Sequence, residues 1–204
     1  MDIMNFLSID CSTDIGSLFV KTKNKTFSKI LQSDKFNNDL LMKQILDFFS
    51  ENNIEFKDLS MILVNQGPGN FSGLRGSLAT AKGISLSKNI KLFGYNKFIW
   101  SCTKFINQKG AVYSIIKFRE KYFIKTFNEN LQSVSEPQEI SANEIIEKYD
   151  DGFKVIVKSD IKYFDKRILE LNNINIVNLD LDKLELLQTN GLLNEDFVKP
   201  IYFS

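Results

Sequence analysis

Residues 6–32 contain short apolar runs separated by polar turns. The runs cover 6–10, 15–22 and 25–32. Runs of this length joined by brief polar turns are typical of β-strands that pair with their neighbours in sequence. The pattern therefore predicts a meander of three antiparallel strands.

The apolar spacing then becomes helical. Leu41, Ile45 and Phe48 recur at intervals of three to four residues, which predicts a helix over 39–52. The elements expected after it are a strand at 61–64, a helix to about 87, a strand at 92–95 and a helix at 97–107. Strands alternating with helices indicate an α/β fold.

The second half follows a similar but weaker pattern. It predicts a hairpin of 112–117 and 122–127, a helix at 142–149, a strand at 153–157, a helix at 161–171, a strand at 174–177 and a helix at 181–187. Pro200 favours an extended tail over 198–203. We expect an N-terminal lobe at 1–109 and a smaller C-terminal lobe at 110–204, and no sequence repeat relates them.

Composition excludes several kinds of chemistry. The chain has no histidine, so neither an imidazole metal ligand nor a His-based triad is available. Its net charge of +1 predicts no strong attraction to nucleic acid or to a membrane. Cys11 and Cys102 are far apart in sequence and suit buried, reduced thiols. With no apolar run long enough to span a bilayer, we expect a cytoplasmic protein.

The turn after the strand at 61–64 is the first candidate site. Gly67 and Gly69 flank a proline immediately before a helix, where backbone amides can bind a phosphate or carboxylate. A tight turn without a ligand explains the same residues and is the commoner case. A P-loop is excluded because no Gly-Lys-Ser/Thr follows at the required spacing.

A second candidate lies between the first two strands. Asp10, Ser12 and Thr13 place a carboxylate and two hydroxyl groups in one turn, where they could hold a phosphate through a metal ion. Capping of the turn by the same side chains is the commoner explanation. Together with Gly67 and Gly69, these residues form the candidate anion-binding or nucleotide-binding set.

The helix after the glycine turn has two unlike faces. One face, formed by Leu74, Leu78 and Ala81, suits packing on a sheet. The other, formed by Gly76, Ala79 and Gly83, has almost no side-chain bulk. Each interior glycine costs about 1 kcal/mol relative to alanine. Close approach of another helix would offset that cost. The sequence leaves open whether this is the helix at 39–52 or a partner subunit.

The two motifs together resemble the bacterial TsaB family, also called YeaZ. The resemblance is carried by Phe6-Leu-Ser-Ile-Asp-Cys-Ser-Thr-Asp14, Gly67-Pro-Gly-Asn-Phe-Ser-Gly-Leu-Arg75 and Ala79-Thr-Ala-Lys-Gly83. It covers about the first half of the chain, and the tail at 200–202 weakly. The paralogous TsaD family shares the Gly-Pro-Gly motif, but it carries paired histidines and a glycine-rich adenosine loop that this chain lacks.

The resemblance implies an actin-like or Hsp70-like ATPase fold, with a mixed sheet flanked by helices and a reduced second lobe. It implies a non-catalytic subunit that binds and activates TsaD in forming N6-threonylcarbamoyladenosine at position 37 of tRNAs reading ANN codons. TsaE is a second expected partner, tRNA is contacted only indirectly, and a homodimer through the first-lobe helices stays open. This chain alone is expected to bind no cofactor or metal, while ATP or ADP and Mg²⁺ are left open for the complex. The expected interface residues are Leu41, Ile45, Phe71, Arg75, Gly76, Ala79, Lys82 and Gly83.

Two other functions compete with this one. A small stand-alone ATPase or kinase of the same fold would use Asp10 and Thr13 with magnesium. A metallopeptidase would need a cluster of metal ligands, and the sequence shows neither histidine nor a compact group of carboxylates.

Overall fold

The computed structural model of the chain describes residues 5–12, 16–23, 25–31, 40–149, 151–195 and 198–203. The fold divides into two compact units. The first contains the residues up to Lys97 together with those from Leu193 onward, and the second is Phe98–Leu192. The lobes expected at 1–109 and 110–204 stay a prediction of the domain boundaries.

The first unit is built on a five-stranded mixed sheet. Its strands are β1 (Phe6–Asp10), β2 (Gly16–Lys21), β3 (Thr26–Leu31), β4 (Met61–Asn65) and β5 (Lys91–Tyr95). Their order is β3-β2-β1-β4-β5. The first three strands pair antiparallel, which confirms the predicted meander, and β4 and β5 run parallel to β1. The predicted strand ends at Ile15 and Gln32 lie outside the described residues.

Two helices provide the crossovers of this sheet. Helix α1 (Leu41–Asn52) lies between β3 and β4, and helix α2 (Phe71–Lys88) lies between β4 and β5. Both pack on one sheet face, where the shared core includes Leu7, Ile9, Ile62, Val64, Leu41, Ile45, Leu78 and Ala81. The two predicted helices are thus confirmed, although Asp39, the predicted first residue of α1, lies outside the described residues.

The second unit contains a second five-stranded sheet. Its elements are α3 (Lys97–Cys102, which begins at the unit boundary), β6 (Val112–Phe118), β7 (Lys121–Phe127), β8 (Gln138–Ile140), α4 (Ala142–Lys148), β9 (Phe153–Val157), α5 (Lys166–Leu169), β10 (Ile174–Val177) and α6 (Leu181–Thr189). The described residues also include 3-10 turns at Thr103–Phe105 and Lys158–Tyr163 in this unit, and at Phe56–Asp58 in the first unit.

The second sheet repeats the topology of the first. Its order is β10-β9-β6-β7-β8, with an antiparallel meander of β6, β7 and β8 and with β9 and β10 parallel to β6. The repeat is invisible in the sequence because strand order depends on pairing rather than on residue identity. The α-helix in the β9–β10 crossover, α5, has four residues and follows a 3-10 turn, whereas α2 in the β4–β5 crossover has 18 residues. The second unit is reduced in this sense.

Sequence reasoning was wrong at three elements from residue 97 onward. The helix predicted at 97–107 ends at Cys102 and continues only as a 3-10 turn. The helix predicted at 161–171 is broken at Asp165, which takes an extended backbone and caps α5 by accepting a bond from Arg167 N. Strand β8 was missed because it has only three residues, two of them polar and exposed.

Among the helices of the described residues, none combines the length and the apolar character that crossing a bilayer requires.

Candidate functional site

Two loops meet at the carboxyl ends of β1 and β4. The backbone amide of Asn70 donates to the Ser12 carbonyl oxygen over 2.6 Å. A Cβ atom at Gly69 would overlap the same Ser12 carbonyl, and one at Gly73 would overlap the Cys11 carbonyl. These glycines are therefore needed because the α2 end of the loop lies directly against the backbone that follows β1.

The Asp10 carboxylate lies within this contact and is almost fully buried, at 4% exposure. One carboxylate oxygen accepts from Ser12 N over 2.8 Å and the other from Asn65 Nδ2 over 3.0 Å. Asn65 Nδ2 also lies 3.1 Å from Ser12 Oγ, while Asn65 Oδ1 accepts from Gly67 N over 2.9 Å. The structure thus brings Asp10, Ser12 and Gly67 into one network within the chain.

The first amides of α2 also have a partner from the chain itself. Asn70 is the N-cap residue, and its side-chain oxygen accepts from Ser72 N over 3.0 Å and from Gly73 N over 3.4 Å. An anion at this helix end would have to compete with that cap. Thr13, the remaining member of the predicted set, lies outside the described residues.

Burial around this network suppresses ionisation of two further groups. It raises the pKa of the Cys11 thiol, and the neighbouring Asp10 charge raises it further. The same two causes, in the same order, raise the pKa of Tyr95, whose hydroxyl lies 2.9 Å from Ser8 Oγ. Cys102, in the second unit, is also buried, which raises its pKa to about 12. Both cysteines are free and buried, as predicted, and neither is an activated nucleophile.

The small-residue face of α2 is open to solvent. Ala79 and Gly83 are exposed, and Gly76 is half-buried. A Cβ atom at Gly83 would meet no described atom within 4 Å. At Ala79 and Gly83 this face is therefore not used for close packing against α1. Such packing was one of the two explanations that the sequence left open.

Two of the expected interface residues are unavailable to a partner. Leu41 and Ile45 are 1% and 0% exposed, because the helical stripe that they form is the core face of α1. The expectation for these two positions was wrong. One residue turns the helix by about 100°, so the residues that directly follow these two lie on the exposed face of α1. The apolar side chains that α1 does expose are Met42 at 37% and Leu46 at 48%.

The other expected interface positions lie on the exposed side of α2. Phe71 is 54% exposed, and Arg75 and Lys82 are exposed as well. Leu86, at 84% exposure, extends this surface and was missed. An isolated leucine among polar residues at the end of an amphipathic pattern was the only available signal for it.

Comparison with known proteins adds the family. The family model described as "TsaD: tRNA N6-adenosine threonylcarbamoyltransferase" matches residues 33–149, more than half of the chain. A TsaB protein of Buchnera aphidicola subsp. Baizongia pistaciae is 31% identical over 90 residues, which is 43% of this chain and 40% of that protein. The chain belongs to the TsaB (YeaZ) family. A second TsaB relative, from Buchnera aphidicola subsp. Schizaphis graminum, is 33% identical over 88 residues, 43% of this chain and 42% of that protein.

These curated TsaB relatives are titled "tRNA threonylcarbamoyladenosine biosynthesis protein TsaB", and the aligned segments span about two fifths of their length. A solved structure, "YeaZ from Pseudomonas aeruginosa", matches with a TM-score of 0.69 at 15% identity, over 98% of this chain and 100% of that one. At this identity the match shows the fold alone. It confirms the predicted α/β fold, with mixed sheets flanked by helices, as one that the chain shares with the YeaZ structure.

Within residues 5–12, 16–23, 25–31, 40–149, 151–195 and 198–203, no three His, Cys, Asp or Glu side chains converge as metal ligands would.

Asn65, which links the two loops, was missed by sequence reasoning. Its signal was a lone amide at the end of an otherwise apolar strand, in the position where such side chains reach the next loop.

Proposed function

We propose that this TsaB-family chain is a non-catalytic subunit of the complex that forms N6-threonylcarbamoyladenosine at position 37 of tRNAs reading ANN codons. It binds and activates TsaD, works alongside TsaE in the cytoplasm, and reaches tRNA only through the complex. The names of its relatives and of the matching family model support a place in the formation of threonylcarbamoyladenosine.

The observation that carries the proposal is the exposed small-residue face of α2. Interior glycine costs helix stability, about 1 kcal/mol relative to alanine. At Gly83 that cost is not offset by packing against described residues, because the space beside it is open. A partner helix that approaches closely would use this space and would also cover Met42 and Leu46 of α1, which lie exposed on that helix.

The bonding of the two loops supports a non-catalytic role. Both Asp10 oxygens accept hydrogen bonds from the chain, and Asn70 occupies the first amides of α2. A stand-alone ATPase or kinase would need Asp10 free to bind a magnesium ion beside a phosphate. That alternative is not favoured, because the carboxylate instead joins the end of β1 to Asn65 at the end of β4.

Complementation tests the proposal. Bacteria depleted of their own TsaB would express this chain together with the TsaD from its own organism, and mass spectrometry would quantify threonylcarbamoyladenosine in total tRNA. We expect the wild-type chain to restore the modification. We expect Ala79→Trp to lower it at least ten-fold, because the bulky ring would block close approach of a helix.

Gln108→Trp is the matched control, since it adds the same ring at an exposed position of the second unit. It should restore the modification like the wild type. If the wild-type chain restores nothing while both proteins are soluble, the proposed role is wrong. If Ala79→Trp restores fully, the role survives but α2 is not the interface.

A further inference from the structure

The C-terminal tail is fixed to the loop that follows β4. Ile201 N donates to the Gln66 carbonyl over 2.7 Å, and Gln66 Nε2 donates to the Lys199 carbonyl over 2.8 Å. Upstream, Val198 is 6% exposed and belongs to the core of the first unit. These contacts place the next residue, Tyr202, beside the first turn of α2.

Tyr202 completes a row of three side chains at this end of α2. Its ring centroid lies 5.0 Å from that of Phe71, and the Arg75 guanidinium carbon lies 5.1 Å from the Phe71 centroid. Phe71 and Tyr202 nevertheless remain 54% and 49% exposed. Clustered Tyr and Arg side chains, pre-ordered but open to solvent, have the composition of a protein-binding hot spot.

The charge of α2 narrows the kind of partner. From Phe71 to Lys88 the helix carries three cations, Arg75, Lys82 and Lys88, and no acidic residue. Within the part of the chain that the structure describes, neither Arg75 nor Lys82 has an ion-pair partner. An opposing surface that presents carboxylates would complement this stripe.

A second copy of the chain complements it poorly. Two-fold pairing through α2 would bring one set of cations against the other, whether the helices run parallel or antiparallel. The acids of α1 are already paired within the chain, Asp47 with Lys43 over 2.6 Å and Glu51 with Lys29 over 3.0 Å. Like charges in apposition disfavour this homodimer.

We propose that Phe71, Arg75 and Tyr202 form a binding hot spot for a different protein, whose docking surface is a helix carrying carboxylates opposite α2. The tail contributes Tyr202 directly to the interface. This assignment rests on the proposed function, which supplies the binding partner for the test, the TsaD of the same organism. It goes beyond that function by naming the hot spot, the charge of the partner surface and the preference against a second copy.

Calorimetric titration of the full-length chain with this TsaD tests the hot spot. Tyr202→Ala and Arg75→Glu should each raise Kd at least ten-fold, and Tyr202→Phe should bind like the wild type because it keeps the ring. Tyr163→Ala is the matched aromatic control, at the same 49% exposure, and Lys104→Glu repeats the charge reversal at an exposed site of the second unit. Both controls should stay within two-fold of the wild type.

Salt dependence tests the charge of the partner. Wild-type affinity should fall as NaCl is raised from about 50 to about 300 mM, because salt progressively screens ion pairs over this range. Arg75→Gln should make that fall shallower. An unchanged salt dependence would overturn the acidic-partner assignment.

The outcomes separate the two proposals. If Tyr202→Ala and Arg75→Glu bind like the wild type while Ala79→Trp does not, the hot spot is wrong and the proposed function stands. If the folded wild-type chain does not bind TsaD at all, both are wrong. If sedimentation instead shows a wild-type dimer at micromolar concentration that Tyr202→Ala dissociates, a second copy is the occupant and the acidic partner is excluded.

Discussion

Asn65 shows how one amide side chain can hold two loops together. It is 1% exposed, donates toward both Asp10 and Ser12, and accepts from Gly67 N. An amide is suited to this place because it carries donors and an acceptor on one short side chain. An aspartate here would set a second buried negative charge beside Asp10.

Asn65→Ala should therefore lower the free energy of unfolding by about 2 kcal/mol, because buried polar groups of three residues would lose a partner. Urea denaturation followed by circular dichroism would measure the change. Asn178→Ala, at an exposed position, is the control and should change stability by less than about 0.5 kcal/mol. Equal losses in the two variants would contradict the linking role of Asn65.

Helix α2 combines a glycine that packing requires with one that it does not. Gly73 lies against the Cys11 carbonyl, whereas Gly83, ten residues further along the same helix, faces open space. Both have the same intrinsic helix propensity, so their difference comes entirely from what surrounds them. The first serves the fold, and the second is available for a partner.

The same substitution at these two positions should have opposite effects. Gly73→Ala should destabilise the isolated chain by about 3 kcal/mol or more, because its methyl group would overlap backbone that cannot move aside cheaply. Gly83→Ala should stabilise the chain by up to about 1 kcal/mol through helix propensity. Thermal and urea unfolding of the two variants would measure both values, and a loss of stability at Gly83 would show that its space is filled.

At the scale of the whole molecule, the chain returns to its first unit. Residues from Leu193 onward group with those up to Lys97, although 95 residues of the second unit lie between them in sequence. Asn194 exchanges hydrogen bonds with Gly94 next to β5, over 2.7 and 2.8 Å, and Val198 enters the core. The first unit is therefore complete only when its end is in place.

Deleting residues 198–204 should lower amide protection in the first unit and leave the second nearly unchanged. The deletion removes the Val198 side chain from the core and the bonds from the tail to Gln66. Hydrogen exchange with mass spectrometry would locate the change, expected in β4 and the loop after it. Deleting only 202–204 keeps those contacts and is the control. Loss of protection throughout β6, β7 and β9 would contradict the assignment of the tail to the first unit.

Much of this protein could be predicted from local chemistry. Continuous apolar runs located β1 and β4, because a strand buried on both faces is apolar throughout. Apolar residues at intervals of three to four located α1 and one face of α2, because a helix repeats every 3.6 residues. The motifs around Asp10 and Gly67 pointed to the family, and the absence of histidine removed whole classes of mechanism. These features depend on residues close together in sequence.

Only the tertiary structure decided what each surface faces. It placed Leu41 and Ile45 in the core and left Ala79 and Gly83 open, because burial depends on which side of a helix meets the sheet. It also joined Asp10 to Asn65, 55 residues away. The repeated strand order and the position of Tyr202 on Phe71 were likewise beyond the sequence. Such contacts arise from chain segments that are distant until the protein folds, so no local pattern records them.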